Sequence, residues 1–161
     1  MDERDREHLR RCVELAEQAL EAGDEPFGSV LVDAGGTVLA EDRNRVAGGD
    51  ATRHPEFELA RRSTGLLDPA GRAGATVYTS GEHCPMCAAA HAWVGLGRIV
   101  YASSTAQLTS WRSALGGPES PVRPLSVTDV APGVRVEGPD EELAPRVRAL
   151  HERHAARHRD T

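Results

Sequence analysis

The chain contains no lysine. All 19 of its basic residues are arginine, and isoleucine and asparagine occur once each, as Ile99 and Asn44. This bias reads as GC-rich coding, and it draws attention to each rare residue kept against it. Cysteine is scarce as well, with three in 161 residues. That excludes a disulfide framework and leaves a Cys-x-x-Cys pair to be read as metal or redox chemistry in a reducing compartment. No apolar run reaches the ~20 residues that a membrane-spanning helix needs. The charged start MDERDREHLRR does not read as a secretion signal, so a cytoplasmic protein without a membrane partner is expected. Positive charge is in deficit: the net charge is −6 at pH 7, which opposes non-specific binding to a polyanion. What is present, 39% hydrophobic and 27% charged residues, fits one soluble globular domain over residues 1–161.

Hydrophobic spacing organises the chain. Leu9, Val13, Ala16 and Leu20 recur at helical intervals, predicting a helix over 2–22 that Gly23 ends. A strand over 27–33, a turn over 34–37 and a returning strand over 38–44 follow. The pattern then predicts a helix over 55–64, a loop over 64–74 and a buried strand over 75–80. Beyond these come a short helix over 85–94, a strand over 98–103, a helix over 105–115 and a loop over 116–124. A last strand over 134–137 precedes a final helix over 140–158 with Asp140 as its N-cap. This order predicts an α/β fold, with a central mixed sheet covered by helices on both faces. The strand–helix–strand crossovers should leave the last strands parallel.

Two proline-led helix starts carry the chemistry. Pro85 follows Cys84, and proline suits the first position of a helix, where its missing N–H would have no partner anyway. Cys84 is therefore expected at an N-cap and Cys87 one turn inside, at the positive helix end that favours thiolate. The same device places His54 before Pro55, with Glu56 in the first turn. His54, Cys84 and Cys87 then make a His/Cys/Cys metal set. A structural zinc site takes four protein ligands and a catalytic one takes three. His91 is the available fourth donor, but a helix rises about 10 Å from residue 84 to residue 91. His83, adjacent to Cys84, would need a twisted backbone. An open site is expected.

His54-Pro55-Glu56 followed by His83-Cys84-Pro85-Met86-Cys87 resembles the zinc deaminases of the cytidine deaminase-like superfamily, whose signature is H-x-E and then P-C-x-x-C. The guanine, cytosine and tRNA adenosine deaminase branch is similar in further features. Pro26-Phe27-Gly28 matches its P-x-G motif, Asn44 its asparagine before H-x-E, and Thr79-Ser80 the strand end before its cysteines. The likeness covers roughly residues 8–115. It implies a three-layer α/β/α sandwich with a central mixed five-stranded sheet, and one Zn²⁺ per chain. It also implies hydrolytic deamination of a small aminated heterocycle, usually in a homodimer or larger oligomer. Glu56 is then the catalytic proton carrier. Two departures stand out. Pro55 lacks the N–H that relatives offer to a ring carbonyl, and His83 replaces the usual proline, as a loop residue or a donor at the pocket edge.

Other residues have two readings each. Asn44 is a turn residue or a substrate amide that both donates and accepts. Phe27 is core or packs on the substrate ring, and Trp111 lines the pocket or belongs to the core or an interface. Trp93 is expected in packing or an interface, His91 in the interior, and Cys12 as an inert core thiol. The tail from residue 146 to 159 holds five arginines and three histidines, as a solvated helix face or a phosphate contact. Two alternatives to a small-molecule deaminase are a tRNA-editing adenosine deaminase and a non-catalytic zinc-stapled binding module.

Overall fold

The computed structural model describes residues 1–160. Five strands form one sheet in the order β2-β1-β3-β4-β5. They are β1 (Gly28–Val32), β2 (Val38–Arg43), β3 (Thr76–Gly81), β4 (Arg98–Ser103) and β5 (Val136–Glu137). The hairpin strands β1 and β2 are antiparallel, and β1 also runs antiparallel to β3. The crossover strands β3, β4 and β5 are parallel, as the strand–helix alternation predicts.

Every residue of β1 is buried, because helices cover both faces of the sheet. Alternation sorts the side chains. Val30, Val32, Tyr78, Val100 and Ala102 pack with α1 (Glu3–Glu21) and α7 (Leu143–Arg159). Leu31 and Val77 pack with Leu59 and Ala60 of α2 (Pro55–Leu66). Ile99 and Tyr101 pack with Ala88 of α4 (Pro85–Trp93). The three-layer α/β/α sandwich and its mixed five-stranded sheet are those of the expected fold class.

The elements differ locally from the sequence expectation. The segment 64–74 is not all loop: α2 runs on to Leu66, and α3 (Pro69–Gly74) begins where the Asp68 carboxylate accepts the Gly71 N–H at 2.7 Å. Its two glycines mask a proper proline-led start. A 3-10 turn at Val46–Gly48 and a four-residue helix, α6 (Val127–Val130), are also additional, the latter closed by a capping box between Ser126 and Asp129. Helix α5 (Thr105–Ala114) agrees with its prediction. Asp140 is not the N-cap of α7, which is Glu142. Its carboxylate still accepts the N–H groups of Glu142 and Leu143, at 3.0 and 2.9 Å, so it caps the turn that leads into the helix.

Candidate metal centre and active site

The site lies where β3 ends, which is also where the antiparallel β1 begins. Ligands of α/β sheets gather at such strand ends. Two helix starts meet there. His54 is the N-cap of α2 and Cys84 the N-cap of α4, each with proline at the next position and extended backbone. The loop 44–54 brings His54 back to the sheet, with the Arg45 N–H donating to the Arg53 carbonyl at 3.1 Å. Asp24 braces that loop, accepting from Arg43 Nη1 at 2.8 Å and from the Ala47 N–H at 2.9 Å.

The three metal donors form a near-equilateral triangle. His54 Nδ1 lies 3.5 Å from Cys84 Sγ and 3.6 Å from Cys87 Sγ, and the two sulfurs are 3.5 Å apart. A tetrahedral zinc ion with bonds of about 2.0–2.3 Å requires donor separations of about 3.5–3.8 Å. The residues fit the metal without rearrangement, and His54, Cys84 and Cys87 are positioned to bind it. Among the described residues no fourth donor joins this group. His91 is turned to other use, with Nε2 2.7 Å from the Gly97 carbonyl oxygen. The Cys87 hydrogen bond brings Cys84 down to about 4 against the effect of burial, and His54 adds to the lowering. Its neighbour Cys87 is pushed up by the same pairing and by burial.

Glu56 is buried beside this triangle, its Oε2 3.9 Å from Cys87 Sγ. Its other oxygen accepts from Thr79 Oγ1 at 2.7 Å and from Ser29 Oγ at 3.1 Å. Ser29 and Thr79 face each other across β1 and β3, so the sheet register fixes the carboxylate. Burial raises the Glu56 pKa, opposed by the Thr79 hydrogen bond. The part played by Ser29 is absent from the sequence reading. The available signal was a serine inside the otherwise apolar strand GSVLV.

The single asparagine makes the turn contact of its first reading. Asn44 Oδ1 accepts the Val46 N–H at 3.0 Å, while Nδ2 is buried with no protein partner. The Asn44 N–H donates to the Phe27 carbonyl at 3.0 Å, which ties the two candidates together. Phe27 is half-buried, and the Arg112 guanidinium lies over its ring at 6.0 Å. Trp111 is buried in the core cluster with α1 and α7 and reaches the Phe27 neighbourhood through His151, at 6.2 Å between ring centroids. His83 lies in the loop between β3 and α4, as in the first of its two readings. It is fully buried, edge-on to His91 at 5.3 Å, with both ring nitrogens lacking a protein partner. The turn out of β3 folds it inward against α4.

The model of the cytidine and deoxycytidylate deaminase zinc-binding region matches residues 2–103. A probable cytosine deaminase of Schizosaccharomyces pombe is 32% identical over 154 residues, covering 90% of this chain and 91% of that protein. The guanine deaminase of Bacillus subtilis is 36% identical over 97 residues, covering 59% of this chain and 62% of that protein. The solved guanine deaminase of Nitrosomonas europaea superposes with a TM-score of 0.70 over 92% of this chain and 83% of that one. Its 23% identity speaks for the fold. With its three metal donors and buried glutamate in place, the chain belongs to the family of zinc-binding cytidine and deoxycytidylate deaminases.

Proposed function

We propose that this chain, as one domain over residues 1–161, hydrolyses the exocyclic amine of a small aminated heterocycle and releases ammonia. The ring is a nucleobase, a nucleoside or an analogue such as an aminotriazine. The observation that carries the reading is the Glu56 carboxylate, fixed by Ser29 and Thr79 beside a three-donor metal triangle.

His54, Cys84 and Cys87 would hold a zinc ion, which would lower the pKa of a water there from about 15.7 to about 7. Glu56 moves the protons. Its buried carboxylate has a raised pKa, so it takes a proton from the attacking water and holds it. It delivers that proton to the ring nitrogen beside the amine-bearing carbon, then carries a second to the departing amine. Water and the ring amine become a ring carbonyl and ammonia. Asn44 Nδ2, a buried donor with no protein partner, binds an acceptor on the ring. Phe27 packs against its face, backed by His151 and Trp111. Pro55 has no N–H to give, so rings that depend on a donor at that place are expected to be poor substrates, cytidine among them.

Small substrates are favoured over tRNA by the state of the basic tail. Arg153 bonds Glu17 and Glu21 at 3.1 and 2.6 Å, Arg157 reaches Glu21 at 3.2 Å, and Arg148 pairs with Glu152 at 2.9 Å. These guanidiniums are occupied by carboxylates of α1 and α7 rather than presented as a stripe for phosphates. The thiols are unbridged, in keeping with a reducing, cytoplasmic setting. The working unit is a homodimer built on the outer face of α4.

Ammonia release across guanine, cytosine, adenine, their nucleosides, isocytosine and triazines tests the reading, together with elemental analysis for zinc. Glu56→Gln should retain zinc and lose activity by roughly 10²–10⁴-fold. Turnover near wild type in that variant would sink the mechanism.

A further inference from the structure

We propose that His151, on α7, is a specificity-determining residue of this site, hydrogen-bonding the substrate ring along the edge beside Phe27. The proposal rests on the deaminase reading and extends it to a part of the chain beyond the family match, which ends at residue 103.

His151 is 5% exposed, and its Nε2 is buried with no protein partner. Its ring lies 5.1 Å from that of Phe27, in an edge-on arrangement, and 6.2 Å from Trp111. An imidazole used only for packing would ordinarily have its nitrogens satisfied, because a buried polar atom without a partner is costly. His91 puts its Nε2 on the Gly97 carbonyl and keeps a buried, unpartnered Nδ1. His83 and His91, the other buried imidazoles with unpartnered nitrogens, have their ring contact with each other, and His151 has its contact with Phe27. Asn44, tied to Phe27 through the backbone, carries the second orphan of this neighbourhood, Nδ2. Two residues that contact Phe27, His151 through its ring and Asn44 through its backbone, thus each carry a buried polar atom with unspent hydrogen-bonding capacity.

A planar ring lying on Phe27 with polar atoms on two edges would satisfy both. Burial, reinforced by Arg112 and His154, lowers the His151 pKa to about 3. The imidazole is therefore neutral at working pH and offers one donor and one acceptor. It suits the mixed donor and acceptor edge of an uncharged heterocycle, and not an anionic substituent.

The test uses zinc-loaded full-length protein and the ring of the panel above that wild type turns over fastest. His151→Phe keeps an aromatic ring against Phe27 and Trp111 and removes the polar nitrogens. KM should rise at least tenfold and kcat change less than about threefold, with zinc content retained and melting temperature held or raised. His151→Gln, which restores a donor and an acceptor, should recover part of the lost affinity. An unchanged KM in a folded, zinc-loaded His151→Phe protein would overturn the proposal while leaving the deaminase reading intact. Failure of both variants to fold would assign His151 to the core and also overturn it. If wild type releases ammonia from no ring in the panel, the parent reading falls first and this inference with it.

Discussion

Asp5 and Glu56 are both buried carboxylates near the start of a helix, and their partners send them opposite ways. Asp5 accepts from Arg98 Nη1 and Nη2 at 2.9 and 3.0 Å, from Tyr78 Oη at 2.8 Å and from the Asp2 N–H at 2.7 Å. Burial alone would raise its pKa, but these donors outweigh it, and the folded value lies well below the usual carboxylate range. Glu56 has hydroxyl donors and no arginine, and burial wins. The charged form is favoured in one group and the neutral form in the other. The Asp5 arrangement gives a stability prediction. Its folded pKa is below the unfolded value of about 3.9, so the unfolded chain binds the proton first. The stabilisation is complete above about pH 5 and is lost as pH falls through the unfolded value towards the folded one. Urea unfolding at pH 6 and pH 3 should show wild type losing stability, and Asp5→Asn, weaker at pH 6 by about 3 kcal/mol, losing less. Equal losses would remove Asp5 as the cause. The sequence shows both carboxylates at helix starts; it does not show which one has an arginine facing it from a strand 93 residues away.

At the scale of elements, Gly28 explains why the first strand begins as it does. A Cβ there would lie 2.5 Å from the Cys12 carbonyl oxygen and 2.8 Å from the Ala16 nitrogen. Helix α1 thus rests its backbone directly on β1, and Cys12 is fully buried in that contact. Gly28→Ala should cost about 1–3 kcal/mol, read as a lower denaturant midpoint at unchanged slope. A midpoint equal to wild type would mean that α1 can shift without penalty. The elements that carry ligands were readable because proline marks them: His-Pro and Cys-Pro each announce an N-cap, and both are found there. Helices α3 and α6 were not readable. Six and four residues long, they are too short to show a period, and only their caps define them. The start of α7 moved for a related reason. Asp140 spends its carboxylate on a turn, and local sequence cannot separate a turn from a first helical turn.

For the whole molecule, the outer face of α4 bears on assembly. Met86, Ala89 and Trp93 recur at helical spacing there, and Trp93 is 89% exposed. The small Ala89 admits a close approach by an identical helix, and a two-fold pairing would bury both indoles. Sedimentation velocity should find a dimer of the 17.3 kDa chain, and Trp93→Glu should weaken it at least tenfold or leave a monomer. A wild-type monomer at micromolar concentration would end this expectation. Sequence by itself determined the α/β fold class, the antiparallel hairpin, the parallel run of the last strands and the three metal donors. Each of these follows from periodicity or from residues within a turn of a proline-marked cap, and such signals are local. Tertiary structure decided how Ser29 and Thr79 fix the carboxylate, why Asn44 keeps an unspent amide, where His83 is buried, and that His151 reaches Phe27. These depend on strand register and on helices far apart in the chain, and no local pattern encodes which distant side chains will share a space.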